Sequence, residues 1–190
     1  PRVAFLTMGC AKNEVDTEKM KSRLSEAGYV LDDAVDCADA IVVNTCSFIQ
    51  DATEESLEVI FEMAGLDRVK AGEAKIVVAG CMPARYGADL ESELTEASKF
   101  VPCAQESDIV TVIDECLGVD REAFDRFAAD VSSVSESRSI ERAYSYVKIS
   151  DGCDRWCSYC TIPLIRGRYH SFPYDDILAD VASRVQRGAK

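Results

Sequence analysis

The sequence predicts an α/β protein: a doubly wound, mostly parallel sheet in residues 1–117, followed by the first strand–helix unit of a second domain. Three observations carry this expectation. Short apolar runs such as Ala40–Asn44 and Lys75–Ala79 do not alternate, as strands buried on both faces should not. Segments with a helical 3.6-residue period separate them. The connections are short, so the strands lie parallel under right-handed crossovers, with helices on both faces. A flavodoxin-like order satisfies all three.

Taken in order, Arg2–Met8 is a first strand ending at Gly9-Cys10. Lys12–Ala27 is a helix with Met20, Leu24 and Ala27 on its apolar face and Gly28 as its stop. Its early acids, Glu14 and Asp16, and later bases, Lys19, Lys21 and Arg23, suit the helix dipole. Tyr29–Leu31 is a brief second strand, and Ala40–Asn44 a third that leads into Thr45-Cys46. Thr53–Ala64 is a helix with Leu57, Ile60, Phe61 and Ala64 on one side. Lys75–Ala79 is the next strand, then Gly80-Cys81. Arg85–Ala97 reads as one helix, Phe100–Val101 as a fifth strand, and Ile109–Cys116 as the closing helix.

Residues 118–141 form a polar connector with a short helix near Arg121–Ala129 and serines at 132, 133, 135, 137 and 139. A second domain, 142–190, opens with the strand Tyr144–Ser150 and carries the helix Pro173–Gln186. One strand–helix unit cannot close a barrel of about eight. With Pro1 at one end and Lys190 inside a helical pattern, the chain is expected to be part of a longer protein.

Hydrophobic content of 47% provides for a core, and no apolar run approaches the ~20 residues of a membrane span. No signal peptide precedes the first strand. Nine cysteines, an odd number, argue for reduced thiols and metal binding in a reducing cytoplasm. The net charge is −13, and it is uneven: residues 151–190 hold six Lys/Arg against five Asp, so residues 1–150 carry −14. That surface suits a basic partner better than a phosphate backbone.

Six cysteines fall into two trios. Cys153, Cys157 and Cys160 stand at C-x3-C-x2-C spacing on one loop. Three thiolates fill three corners of a 4Fe–4S cube and leave one iron open, as a catalytic centre requires. The rival reading is a zinc knot, but zinc closes its shell with four ligands, and the one histidine, His170, is ten residues away. Cys10, Cys46 and Cys81 each follow a predicted parallel strand at intervals of about 35 residues. The carboxyl ends of such strands share one edge, so these thiols are expected to be neighbours at a second open-iron cluster. Ordinary burial is the alternative for each of them alone. Cys37 and Cys116 read as packing residues, while Cys103 follows the fifth strand and rivals the trio as a ligand.

The stretch Gly152-Cys153 to Pro163, with Arg166-Gly167-Arg168, resembles the cluster loop of radical S-adenosylmethionine (SAM) enzymes. Gly9-Cys10-Ala11-Lys12-Asn13-Glu14-Val15-Asp16, Asn44-Thr45-Cys46-Ser47-Phe48-Ile49 and Ala79-Gly80-Cys81-Met82 resemble the N-terminal domain of the methylthiotransferases in that superfamily. The motifs cover nearly the whole chain and lie closest to the branch that modifies ribosomal protein. Phe172 and Cys103 depart from the family pattern, which often has Arg and Gly there. The resemblance implies two 4Fe–4S clusters, one on Cys10, Cys46 and Cys81 and one on Cys153, Cys157 and Cys160. It further implies SAM, with Tyr159 against its adenosine, and a radical SAM barrel of the TIM type beginning at 142. The implied reaction adds a methylthio group to the β-carbon of an aspartate in a small-subunit ribosomal protein. An electron donor of flavodoxin or ferredoxin type would serve it, and this stretch of chain alone is expected to be inactive. His170, Arg166 and Arg168 either meet SAM or substrate or lie on a solvated loop. The alternatives are the branch that modifies tRNA adenosine and a non-catalytic metal-binding module.

Overall fold

The computed structural model describes residues 1–130 and 144–189, without the side chains of 126–130. The serine-rich stretch and the expected boundary at 141 lie outside the described residues.

The chain runs β1 (Arg2–Thr7), α1 (Ala11–Glu26), β2 (Val30–Leu31), β3 (Ala40–Thr45), α2 (Gln50–Ala64), α3 (Asp67–Lys70), β4 (Lys75–Gly80), α4 (Cys81–Tyr86), α5 (Ala88–Glu93), β5 (Lys99–Pro102), α6 (Ile109–Leu117) and α7 (Arg121–Asp130). Short 3-10 turns occupy Val35–Cys37 and Cys103–Asp108. The five strands pair in the order β2-β1-β3-β4-β5, all parallel. This is the doubly wound order expected from the sequence.

β3 lies at the centre, and all six of its residues are buried. Its side chains divide the core. Ala40 and Val42 join Val3, Phe5 and Val77 beneath Met20 and Leu24 of α1 and Ile109 and Ile113 of α6. Ile41 and Val43 join Ala4, Ile76 and Val78 against Ile60 and Met63 of α2 and Met82 of α4. Burying both faces is what makes the strands continuously apolar instead of alternating.

Several local expectations change. Arg85–Ala97 is not one helix: Gly87 takes φ 52° and separates α4 from α5. Phe61 lies on the outer side of α2 and is 51% exposed, because Ser56, Ile60 and Met63 take the inward positions. Cys37 is exposed on its 3-10 turn and does not pack in the core, whereas Cys116, on α6, packs against the core beneath α1 and α6. The helix α3 lacked an apolar period and was not expected.

The second segment comprises β6 (Ser150–Asp151), α8 (Ile162–Arg166), β7 (His170–Ser171) and α9 (Tyr174–Gln186). The expected strand Tyr144–Ser150 is reduced to β6, which pairs antiparallel with β7. Strands persist only where a neighbour takes up their backbone groups, and among the described residues the one ladder bond to 144–149 is Phe172 N–H to Ile149 O at 3.1 Å. The outer face of α1 holds this segment: Arg184 meets Glu18 at 2.7 Å, and Lys19 lies 5.0 Å from the centre of the Phe172 ring.

Candidate functional site

The parallel register places three cysteines on one edge. Thr45 pairs with Gly80, and Met8 N–H donates to Asn44 O at 2.8 Å beyond the last β1 pair. The next turns deliver Cys10, Cys46 and Cys81 to the carboxyl ends of β1, β3 and β4. Cys10 stands at the N-cap position of α1. Gly9, at φ 89°, lets the β1 turn pass the Cys46 side chain: a Cβ there would lie 2.4 Å from Cys46 Cβ and 2.7 Å from its sulfur.

Asn13 organises this edge from the first turn of α1. Its Nδ2 donates to Met8 O at 3.0 Å and Thr45 O at 2.8 Å, fixing both strand-end turns and the orientation of the amide. Its Oδ1 then faces Cys10 Sγ at 3.9 Å and Cys81 Sγ at 3.7 Å. The Cys46 turn is held as tightly. Ser56 Oγ accepts from Cys46 N–H at 3.1 Å, and Thr45 Oγ1 donates to Ala79 O at 2.6 Å. Arg85 Nη1 donates to Ser47 O at 2.5 Å.

Burial raises the Cys46 thiol, and the nearby Cys81 and Cys10 add to the rise, while the Phe48 N–H opposes it. Cys81 moves down to about 6, first through a hydrogen bond with Cys103, then through the Arg166 guanidinium and the Ser47 N–H. Cys103 moves up by the same pairing and by burial. The pairing thus moves the two thiols in opposite directions, and the Arg166 guanidinium touches the Cys81 sulfur at 3.8 Å. Cys103 reaches this position because Gly80 pairs with Pro102, so the next residues on β4 and β5 stand side by side. Burial, with Asp16 nearby, raises Glu106 to about 8.

Cys153, Cys157 and Cys160 occupy the loop between β6 and α8. Cys153 N–H donates to Gly167 O at 3.1 Å, and Cys160 N–H donates to Cys157 O at 3.0 Å. Gly152 presses against the following strip, where a Cβ would come within 2.1 Å of Arg168 O. Trp156 takes φ 47°, a costly conformation for a bulky residue, and Cys157 and Tyr159 point outward. His170 and Arg168 are exposed.

A metal group is implied at each trio. A zinc ion needs its thiolates at one point, whereas a cube takes each at a separate iron corner. Among the described residues, no three His, Cys, Asp or Glu side chains converge closely enough for a single ion. Cys10 and Cys81 both face Asn13 Oδ1, and the Phe48 and Ser47 N–H groups are aimed at Cys46 and Cys81; thiols so placed would suit separate corners of a cluster.

The sequence reading overlooked a buried polar network joining the two segments. Arg166 Nη1 contacts Asp16 Oδ2 at 2.9 Å and Asp151 Oδ2 at 3.1 Å. Its Nη2 contacts Asn13 Oδ1 at 2.7 Å and Cys81 Sγ at 3.8 Å. Lys148 lies 2.6 Å from both Asp16 and Asp151, and Lys12 reaches Asp151 at 2.9 Å. A signal existed: Asn13, Asp16 and Thr17 continue the Met20–Leu24 stripe of α1 at helical spacing, so polar groups fall on an inward face.

Fold and site together define a flavodoxin-order α/β domain that gathers cysteines at its carboxyl edge and packs against a cysteine-bearing loop. The chain belongs to the family described as uncharacterized protein family UPF0004, whose model matches residues 2–102. It is similar along its whole length to proteins named ribosomal protein uS12 methylthiotransferase RimO. That of Natranaerobius thermophilus is 36% identical over 195 residues, covering 100% of this chain and 43% of the relative. That of Anaeromyxobacter sp. (strain Fw109-5) is 37% identical over 187 residues, 98% of this chain and 40% of the relative. That of Geobacter sulfurreducens is 36% identical over 195 residues, 100% and 43% respectively. The chain therefore spans about two fifths of the length of these curated relatives.

Proposed function

We propose that the full-length protein is a radical SAM methylthiotransferase acting on ribosomal protein uS12, at the β-carbon of an aspartate. One observation carries the reading: a strand-end cysteine trio and a C-x3-C-x2-C loop occur together in a chain whose relatives bear that name. Cys10, Cys46 and Cys81 would hold one 4Fe–4S cluster, and Cys153, Cys157 and Cys160 the other, where SAM would bind with Tyr159 against its adenosine. Together the bound groups supply radical hydrogen abstraction, sulfur and a methyl group.

The residues of this chain position those groups. Asn13 and Arg166 fix the strand-end site, Gly9 leaves room for Cys46, and Gly152 and Gly167 shape the turn that carries Cys153. The −14 charge of residues 1–150 favours a basic protein partner and repels polyphosphate at separations inside the Debye length of roughly 8 Å. Work on a ribosomal protein places the enzyme in the cytoplasm, with a flavodoxin- or ferredoxin-type donor supplying electrons. Residues 1–190 alone are expected to turn over little SAM. No helix among the described residues is long and apolar enough to cross a membrane.

Mass spectrometry of ribosomal proteins and digested tRNA, from cells with and without the gene, tests this function. The reading requires that a methylthio mass on uS12 be lost with the gene while tRNA stays unchanged. Loss from tRNA adenosine with uS12 unchanged would assign the protein to the tRNA-modifying reaction instead.

A further inference from the structure

We propose that Arg166 is a positioning residue that joins the two cysteine sites, its side chain serving the strand-end trio while its neighbouring backbone supports the loop. The inference rests on the cluster reading given above.

The geometry is two-sided. From α8, the Arg166 side chain crosses into the first segment and is 2% exposed there. Its fork is fully used, with Nη1 on Asp16 and Asp151 and Nη2 on Asn13 and Cys81. The following residue, Gly167, accepts the Cys153 N–H at 3.1 Å, and Gly152 backs onto Arg168 O. A single covalent strip, 166–168, therefore touches one cysteine of each trio. A shift of either site moves the other through a rigid, buried arginine and not through a solvated loop.

The charges give this contact a direction. Around it stand Asp16 and Asp151, opposed by Arg166, Lys148 and Lys12. The Arg166 guanidinium brings a positive charge to 3.8 Å from the Cys81 sulfur. A buried positive charge favours the more negative, reduced state of any cluster held there. Lysine would keep the charge without the planar fork that reaches Asn13 and both carboxylates together.

The test separates charge from shape. In the 190-residue chain with Cys153, Cys157 and Cys160 replaced by Ala, the strand-end trio is loaded anaerobically with iron and sulfide, and its reduction potential is measured. Arg166→Gln should shift the midpoint to more negative potential, and Arg166→Lys should stay near the parent. In the reciprocal background, with Cys10, Cys46 and Cys81 replaced by Ala, Arg166→Gln should shift the loop-borne cluster less. No shift in the first background, or equal shifts in both, would overturn the inference while leaving the cluster assignment standing. A parent chain that takes up no iron would overturn the cluster reading, and the inference with it. Should circular dichroism show Arg166→Gln unfolded, the pair Asp16→Asn with Arg166→Gln removes both partners of the buried ion pair. A smaller negative shift is expected from it, since the lost Asp16 carboxylate offsets part of the lost Arg166 charge while Arg166, not Asp16, touches the sulfur; an unshifted potential in this pair overturns the proposal.

Discussion

Lys148 Nζ lies 2.6 Å from Asp16 Oδ1, and both side chains are less than a tenth exposed. The contact spans 132 residues of sequence and ties the second segment to α1. Removing one member of a buried pair leaves an uncompensated charge and costs about 3 kcal/mol. Lys148→Met should therefore lower the free energy of urea unfolding by that order. Pairing it with Asp16→Asn should not recover the loss fully, because Arg166 also depends on Asp16. An unfolding curve identical to the parent would show that the two segments do not depend on this contact.

Gly9 and Gly72 separate backbone strain from crowding. Both take positive φ, 89° and 76°, but a Cβ at Gly72 meets nothing within 4 Å, while at Gly9 it strikes Cys46. Gly72→Ala should cost only the left-handed conformation, about 1–2 kcal/mol. Gly9→Ala should lower the melting temperature further and make Cys46 react faster with a thiol-alkylating reagent. Equal losses of melting temperature would mean that the Gly9–Cys46 approach relaxes without cost.

Two carboxyls set opposite pH limits. Burial opposes ionisation of Asp151, but hydrogen bonds from Lys148 and Lys12 overcome it and hold the carboxyl well below the usual range. Its contribution is present above about pH 4 and is lost as pH falls through its folded value. Glu106 runs the other way, since burial and the nearby Asp16 raise it to about 8. Its contribution is complete below about pH 4 and is lost as pH rises toward 8. Glu106→Gln should therefore be increasingly more stable than the parent from pH 5 to pH 8 in chemical denaturation. Parallel pH curves for the two proteins would refute the shift.

The sheet was legible because β1, β3 and β4 are buried on both faces and therefore read as unbroken apolar runs. The carboxyl-edge placement of Cys10, Cys46 and Cys81 followed from parallel topology alone, since strand ends need no contact information. Gly87 was missed as a break because one glycine in a helical period costs only about 1 kcal/mol, and its backbone angle is not written in the sequence. The isolated Tyr144–Ile149 run has strand composition, but pairing depends on neighbours that the run itself does not encode. Arg166 was noticed only as one of two arginines near a loop. Its burial depends on Asp16, Asp151 and Asn13 meeting from positions up to 153 residues away, and local spacing cannot report that.

Iron stoichiometry with Mössbauer spectroscopy on the anaerobically reconstituted chain tests the two-site assignment most directly. Two cubes require about eight irons per chain, and Cys46→Ala and Cys157→Ala should each keep about four, in different sites. Zinc in place of iron, or loss of all iron from either single replacement, would contradict two separate three-cysteine clusters.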